Sequence, residues 1–253
     1  MKLNAVMLVA VISWAGQVLA GDPGPSPFSA ETAVERIRLA EPAACHTTDA
    51  TVACAVRVFV LREGDREYSL RVVKHGEGLG LDLEIDGHPA IPRSAFSPFD
   101  FRTGVSARSA DLNRDGVPDF IVYSFSGGCG LAAGECNIAF ILSDADGYRP
   151  TVIQTLFPDE RSFVILGGTP CFIRASFFRV DRCLDGKPHN FWGYGILAFD
   201  GGRVVVRNDL HPGFPRTVWF THRPNHTETR LLTAAHKATL HRDAERTLIW
   251  NPE

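Results

Sequence analysis

The chain has 253 residues, 45% hydrophobic and 22% charged, with a formal net charge of −3. That length supports one sizeable core or two small ones. The mild acidity argues against nucleic acid or an anionic membrane surface as the main partner and leaves a protein or a small-molecule ligand.

Residues 1–20 have the grammar of a secretory signal peptide. Lys2 supplies the positive charge, Ala5 to Trp14 is a short apolar core, and Val18-Leu19-Ala20 is a small-residue cleavage site before Gly21. The apolar run falls short of the roughly 20 residues that a membrane span needs and is broken at Gly16-Gln17, and no later stretch is long enough. The sequence therefore predicts an exported protein, periplasmic or extracellular, in which residues 21–253 form a single β-rich domain without a membrane span. Loss of Lys2 with the leader makes this remainder one charge more negative.

After a Gly/Pro/Ser-rich leader, Ser29 to Ala40 has helix-forming composition, with Ser29 at the N-cap and Val34 and Ile37 on one face. From Cys54 the hydrophobic period changes to two. Val56 to Leu61 and Tyr68 to Val73 read as a hairpin whose first strand is apolar on both faces. Leu81 to Ile85 and His88 to Ile91 flank Asp86-Gly87, a dipeptide suited to the positive φ of a type I′ turn, and Pro89 assigns the second strand to a sheet edge. Phe96 to Ser109 reads as a long connection.

Further hairpins follow from Ile138 to Leu142 with Tyr148 to Gln154 around Asp144-Ala145-Asp146-Gly147, and from Tyr194 to Phe199 with Arg203 to Val206 around Asp200-Gly201-Gly202. Ser162 to Leu166 and Phe172 to Phe178 are β-rich runs. Thr217 to Thr221 reads as a strand, Thr233 to Ala244 as a helix, and Leu248-Ile249-Trp250 as a closing anchor. The predicted fold is mainly β: many short antiparallel strands and hairpins, propeller-like or a sandwich, with short N- and C-terminal helices.

Six cysteines, Cys45, Cys54, Cys129, Cys136, Cys171 and Cys183, follow the leader. An even count in an exported chain reads as disulfides, and the short separations favour Cys45 with Cys54, Cys129 with Cys136 and Cys171 with Cys183, although connectivity stays open. No Cys-x-x-Cys pair suggests zinc.

The stretch with the most specific chemistry is Asp111-Leu112-Asn113-Arg114-Asp115-Gly116-Val117-Pro118-Asp119. Oxygen-bearing side chains occupy positions 1, 3, 5 and 9, a glycine stands at position 6 where the chain must turn, and position 7 offers a carbonyl. This donor set suits a hard cation, Ca2+, with Asp111, Asn113, Asp115, the Val117 carbonyl and Asp119 as ligands, Asp119 directly or through water. An EF-hand needs a bidentate glutamate at position 12 and flanking helices; position 12 is Val122, inside the β-type run Phe120 to Tyr123.

The loop leading straight into a strand, followed by Ser126-Gly127-Gly128-Cys129-Gly130, the strand Asn137 to Leu142 and the turn Asp146-Gly147, resembles one FG-GAP or VCBS-type repeat, the blade unit of integrin-α-like β-propellers. The resemblance covers residues 109–150. It implies calcium held by the five ligands in a structural role.

Other candidates are weaker. His222-x3-His226 has zinc-like separation but is interrupted by Pro224, and His236 and His241 are spaced five apart. Ser124 and Ser126 beside Gly127-Gly128 lack the G-x-S-x-G elbow of a hydrolase. Turn chemistry accounts for Asp144, Asp146 and Asp200. Asn225-His226-Thr227 is formally a glycosylation acceptor.

Two functions are compatible with these residues. One is a calcium-stabilised binding or scaffold domain that displays an aromatic patch drawn from Phe96, Phe99, Phe101, Trp192 and Trp219. The other is an exported hydrolase that combines His222 and His226 with acidic residues.

Overall fold

The structure is a computed structural model and describes residues 35–48, 55–98, 104–128, 130–181 and 188–219. Among these residues, fifteen strands form three antiparallel sheets, each built largely from consecutive strands. The first sheet runs β2 (Ala43–Thr48), β3 (Ala55–Glu63), β4 (Arg66–His75), β5 (Gly78–Ile85) and β6 (His88–Ser97). The second contains β7 (Val105–Ala110), β8 (Asp119–Phe125), β9 (Glu135–Asp144) and β10 (Gly147–Leu156). The third orders β1 (Glu35–Arg36), β11 (Phe163–Leu166), β12 (Thr169–Val180), β13 (His189–Asp200) and β14 (Arg203–Val206), with β15 (Arg216–Trp219) also on β13.

Alternation decides how the sheets stack. In β8, Phe120 and Val122 face the first sheet, where they join Tyr68, Leu70, Leu81 and Leu83. Their neighbours Ile121 and Tyr123 face the third sheet and join Phe163, Phe172, Leu197 and Phe199. Strand β9 divides in the same way, with Ala139 and Ile141 on one side and Ile138, Phe140 and Leu142 on the other. The middle sheet is thus apolar on both faces and lies between two cores. The chain combines consecutive meanders, as in propeller blades, with the face-to-face layering of a sandwich.

Each core has an aromatic centre. Phe140 is fully buried, with ring centroids 5.1 Å from Phe199, 5.3 Å from Phe172 and 6.3 Å from Phe163, all edge-on. On the opposite side Tyr68, Phe120 and Tyr148 meet at 5.7–6.5 Å. Burial of side chains this large contributes about 1.5–3 kcal/mol each before entropy is counted.

The outer face of the first sheet is different. Arg71 Nε lies 2.6 Å from Asp82, Arg93 Nε approaches the same carboxylate at 3.1 Å, and Arg71 also pairs with Glu84. Register shifts place Pro92 and Arg93 opposite Asp82 alone, a bulge that delivers Arg93 to this cluster.

The turns follow the sequence. Asp86 and Gly87 have φ of 52° and 79°, as a type I′ turn requires, and Pro89 lies in the edge strand β6. Two expectations fail. Residues 35–40, assigned to a helix, are extended: Glu35 and Arg36 pair with β11, and Ala40 exchanges two hydrogen bonds with Ser109 of β7 at 2.8 and 2.9 Å. Ile37 and Leu39 then meet the core with period two, and pairing with two sheets outweighs local helix propensity. The supposed connection Phe96 to Ser109 contains β7, whose inward residues are Val105, Ala107 and Ser109. The helix assigned to Thr233–Ala244 lies outside the described residues, as do the leader and the anchor at Leu248. Among the described residues no helix is long and apolar enough to cross a membrane.

Candidate metal centre

The loop Asp111–Asp119 joins β7 to β8 on the middle sheet. Its second residue, Leu112, is fully buried in the core between the middle and third sheets, so the chain is pinned between two polar positions. The turn then passes through left-handed backbone at Arg114 (φ 64°) and Gly116 (φ 81°). Gly116 meets the need for such a conformation at little steric cost.

Side-chain oxygens curl onto the loop's own N–H groups. The Asp115 N–H donates to Asp111 Oδ1 at 3.1 Å and to Asn113 Oδ1 at 3.2 Å. The Gly116 N–H donates to Asp111 Oδ2 at 3.1 Å and the Val117 N–H to Asp115 Oδ1 at 2.8 Å. Asn113 Nδ2 donates to Asp115 Oδ2 at 3.1 Å and to the Ser143 carbonyl at 2.6 Å. Desolvation opposes ionisation of Asp115, but donors from Ser143, Val117 and Asn113 outweigh it and hold this carboxyl below its ordinary range.

Asp119 has a different place. It is fully buried, and both of its oxygens are engaged by protein donors. Leu112 N–H reaches Oδ2 at 2.7 Å and Asn113 N–H at 3.3 Å, while Ser143 N–H reaches Oδ1 at 2.7 Å and Ser143 Oγ at 2.9 Å. Burial pushes its pKa up to about 6, against the pull of those donors. Asp119 therefore ties the start of the loop to the end of β9. Of the five expected ligands, Asp111, Asn113, Asp115 and the Val117 carbonyl belong to the exposed part of the loop, and Asp119 is its buried anchor.

As a test of fit, the donor set is mixed. Among the described residues no group of three or more His, Cys, Asp or Glu side chains is arranged to hold a metal. The exposed loop offers two carboxylates, one amide oxygen and a carbonyl, the hard oxygen chemistry that calcium accepts when water completes its shell.

Ser143 escaped sequence reasoning. Its hydroxyl lies 2.7 Å from Asp115 Oδ2 and 2.9 Å from Asp119 Oδ1, and its single proton serves one carboxylate at a time. Nothing local marks it, because its partners lie 24 and 28 residues away. Ser143→Ala should lower stability by about 1–2 kcal/mol. An unchanged melting temperature would show that the hydroxyl is dispensable. Tyr148 adds a second brace, its hydroxyl donating to the Pro118 carbonyl at 2.9 Å.

The remaining candidates separate. Ser124 is fully buried and accepts from Ser97 Oγ at 3.0 Å, while Asn137 Nδ2 donates to the same Ser97 oxygen at 3.2 Å, an interior polar cluster. Ser126 donates to the Ala132 carbonyl. Asp144 accepts from the Asp146 N–H at 2.8 Å and pairs with Arg149, as turn chemistry implies. Phe96 and Trp192 are buried, at 4% and 5% exposure, so neither supplies the expected exposed aromatic patch. Phe99, Phe101, His222, His226, His236, His241 and Asn225 lie outside the described residues, and so does the side chain of Trp219.

The disulfide expectations also change. Cys136 and Cys171 are buried and unbridged, each donating to a backbone carbonyl, Asn137 at 3.4 Å and Thr169 at 3.3 Å. Cys136 points into the core between the middle and third sheets, and Cys171 into the cluster on the far face of the third. The pairings Cys129–Cys136 and Cys171–Cys183 are therefore not formed. Desolvation pushes the two thiols up to about 12 and about 11, which makes both poor nucleophiles. Cys45 sits in β2 opposite Val58; Cys54, Cys129 and Cys183 lie outside the described residues.

No family model matches the sequence, and neither the curated proteins nor the solved structures give a match.

Proposed function

We propose that this chain is an exported binding or scaffold domain in which the loop after β7 is a calcium clamp of FG-GAP type. One observation carries the reading: Asp111 Oδ1 and Asn113 Oδ1 crowd onto the same Asp115 N–H, at 3.1 and 3.2 Å. Two oxygens brought that close, with the Asp115 carboxylate and the Val117 carbonyl in the same turn, are a partial shell for a hard cation. Asp111, Asn113, Asp115 and the Val117 carbonyl would hold the ion, and Asp119 would fix the loop beneath it. The ion would supply positive charge among exposed oxygens and has no catalytic task in this reading.

At a calcium concentration about ten times the dissociation constant, binding adds about 1.4 kcal/mol of stability. In a domain of this size that corresponds to roughly 3–5 °C in melting temperature. Thermal melting in calcium and in chelator, with metal content measured by mass spectrometry, tests the proposal. The rise should disappear in Asp111→Asn combined with Asp115→Asn; equal melting temperatures and no retained metal in the unsubstituted protein would refute it.

A further inference from the structure

A second site is written into the third sheet. Register places Arg174 opposite Gly195, Ser176 opposite Gly193, and Gly193 opposite Thr217 on the next strand. Directly paired residues share a face, so Arg174, Ser176 and Thr217 surround two positions that carry no side chain. Along β13 the same face reads Phe191, Gly193, Gly195, Leu197, Phe199. Gly193 and Gly195 interrupt a row that is otherwise bulky.

The polar atoms beside these glycines are unusual. Arg174 Nη1, Ser176 Oγ and Thr217 Oγ1 are each buried without a hydrogen-bond partner among the described residues. Thr217 is only 1% exposed. Arg174 is oriented by its Nε, which donates to the Gln154 carbonyl of β10 at 2.9 Å. Burial holds the guanidinium below its ordinary pKa, with no carboxylate among the described residues acting on it. A half-buried cation without an anion is costly, and orphaned donors add to the cost. Both costs are relieved by one class of group, a small oxyanion that accepts from a guanidinium and two hydroxyls together. Arg174 and Ser176 keep part of their surface in solvent, which gives such a group a way in.

We propose that Arg174, Ser176 and Thr217, set around Gly193 and Gly195, form a binding site for the oxyanion group of a small ligand. The stacked Phe178–Phe191 pair, with centroids 5.6 Å apart on the same face, continues the site with an apolar wall. The proposal gives the binding domain a ligand class. It does not depend on the calcium loop, which belongs to another sheet.

Isothermal titration of the full chain with inorganic phosphate and with benzoate, at ionic strength fixed by sodium chloride, tests it. Saturable binding of at least one is expected; phosphate alone identifies a phosphate-type ligand, and benzoate identifies an organic carboxylate seated against the aromatic wall. Arg174→Gln should weaken that binding by roughly tenfold or more. The double variant Ser176→Ala with Thr217→Val should also weaken it, and carries the test if Arg174→Gln does not fold. Arg207→Gln, which removes a surface arginine paired with Asp209, should leave it unchanged. Absence of saturable binding to both probes, or unweakened binding in Arg174→Gln and in the double variant, overturns the proposal. Persistence of anion binding in Asp111→Asn with Asp115→Asn separates this result from failure of the calcium reading.

Discussion

Replacement of Asp119 by alanine should remove about 3–5 kcal/mol of folding stability, among the largest effects of any single polar substitution in the chain. The carboxylate receives three backbone N–H groups, from Leu112, Asn113 and Ser143, together with the Ser143 hydroxyl. Without it the three N–H groups lose their acceptor, while the Ser143 hydroxyl keeps Asp115, and each orphan costs about 1–3 kcal/mol unless water enters. Asp119→Asn keeps the volume but turns an NH2 group toward one pair of donors, so it should cost roughly half as much. Urea unfolding measures both. A loss under about 1 kcal/mol for the alanine variant would mean that the loop and β9 are held together by something else. Because the anchor is distinct from the exposed oxygens, Asp111→Asn should be far milder in the absence of calcium.

Phe140→Ala should cost about 3–5 kcal/mol, through lost burial and the cavity left behind. Phe140 is the residue of the middle sheet that meets Phe163, Phe172 and Phe199 of the third, so its loss opens the seam between those layers. Aromatic pairs in such geometry add about 0.5–1.5 kcal/mol each beyond their area, and three are lost together. Phe140→Leu, which refills most of the volume, should recover a large part. Denaturant midpoints decide the matter: similar values for the alanine and leucine variants would show that the site collapses around either residue and that the aromatic contacts are incidental.

The hairpins were legible because two independent signals agreed. Short apolar β-rich runs marked β3 to β5, β9 and β13, and Asp86-Gly87, Asp144 to Gly147 and Asp200 to Gly202 marked the turns that follow β5, β9 and β13. Strand β7 was not legible. Its inward residues Val105, Ala107 and Ser109 are small, so the hydrophobic signal is faint, and its identity depends on pairing with β8. Residues 35–40 misled for the opposite reason: their composition favours a helix, while their conformation is imposed by Val164, Ile165 and Ser109, far along the chain.

The loop shows the same division. Oxygen spacing and Gly116 could be read locally, whereas the role of Asp119 depends on Ser143, which only the sheet brings near. Cysteine separations suggested neighbouring pairs, but a strand aims alternate residues at opposite faces, and Cys136 and Cys171 are aimed into apolar clusters. The Arg174 site carries no motif, because its members come from three strands and are brought together only by the register of the sheet.

The ion cluster of Arg71, Asp82, Glu84 and Arg93 has a consequence for how such a protein can grow. The middle sheet offers an apolar face on either side, so each face calls for another layer. The first sheet answers with one apolar face and on the other sets this charge beside Val58 and Val73. A further sheet laid there would have to desolvate Arg71, Arg93 and Glu84 around the already buried Asp82, a cost that apolar contact offsets poorly. Among the described residues the stack therefore ends on that side, as a solenoid ends at its capping repeat.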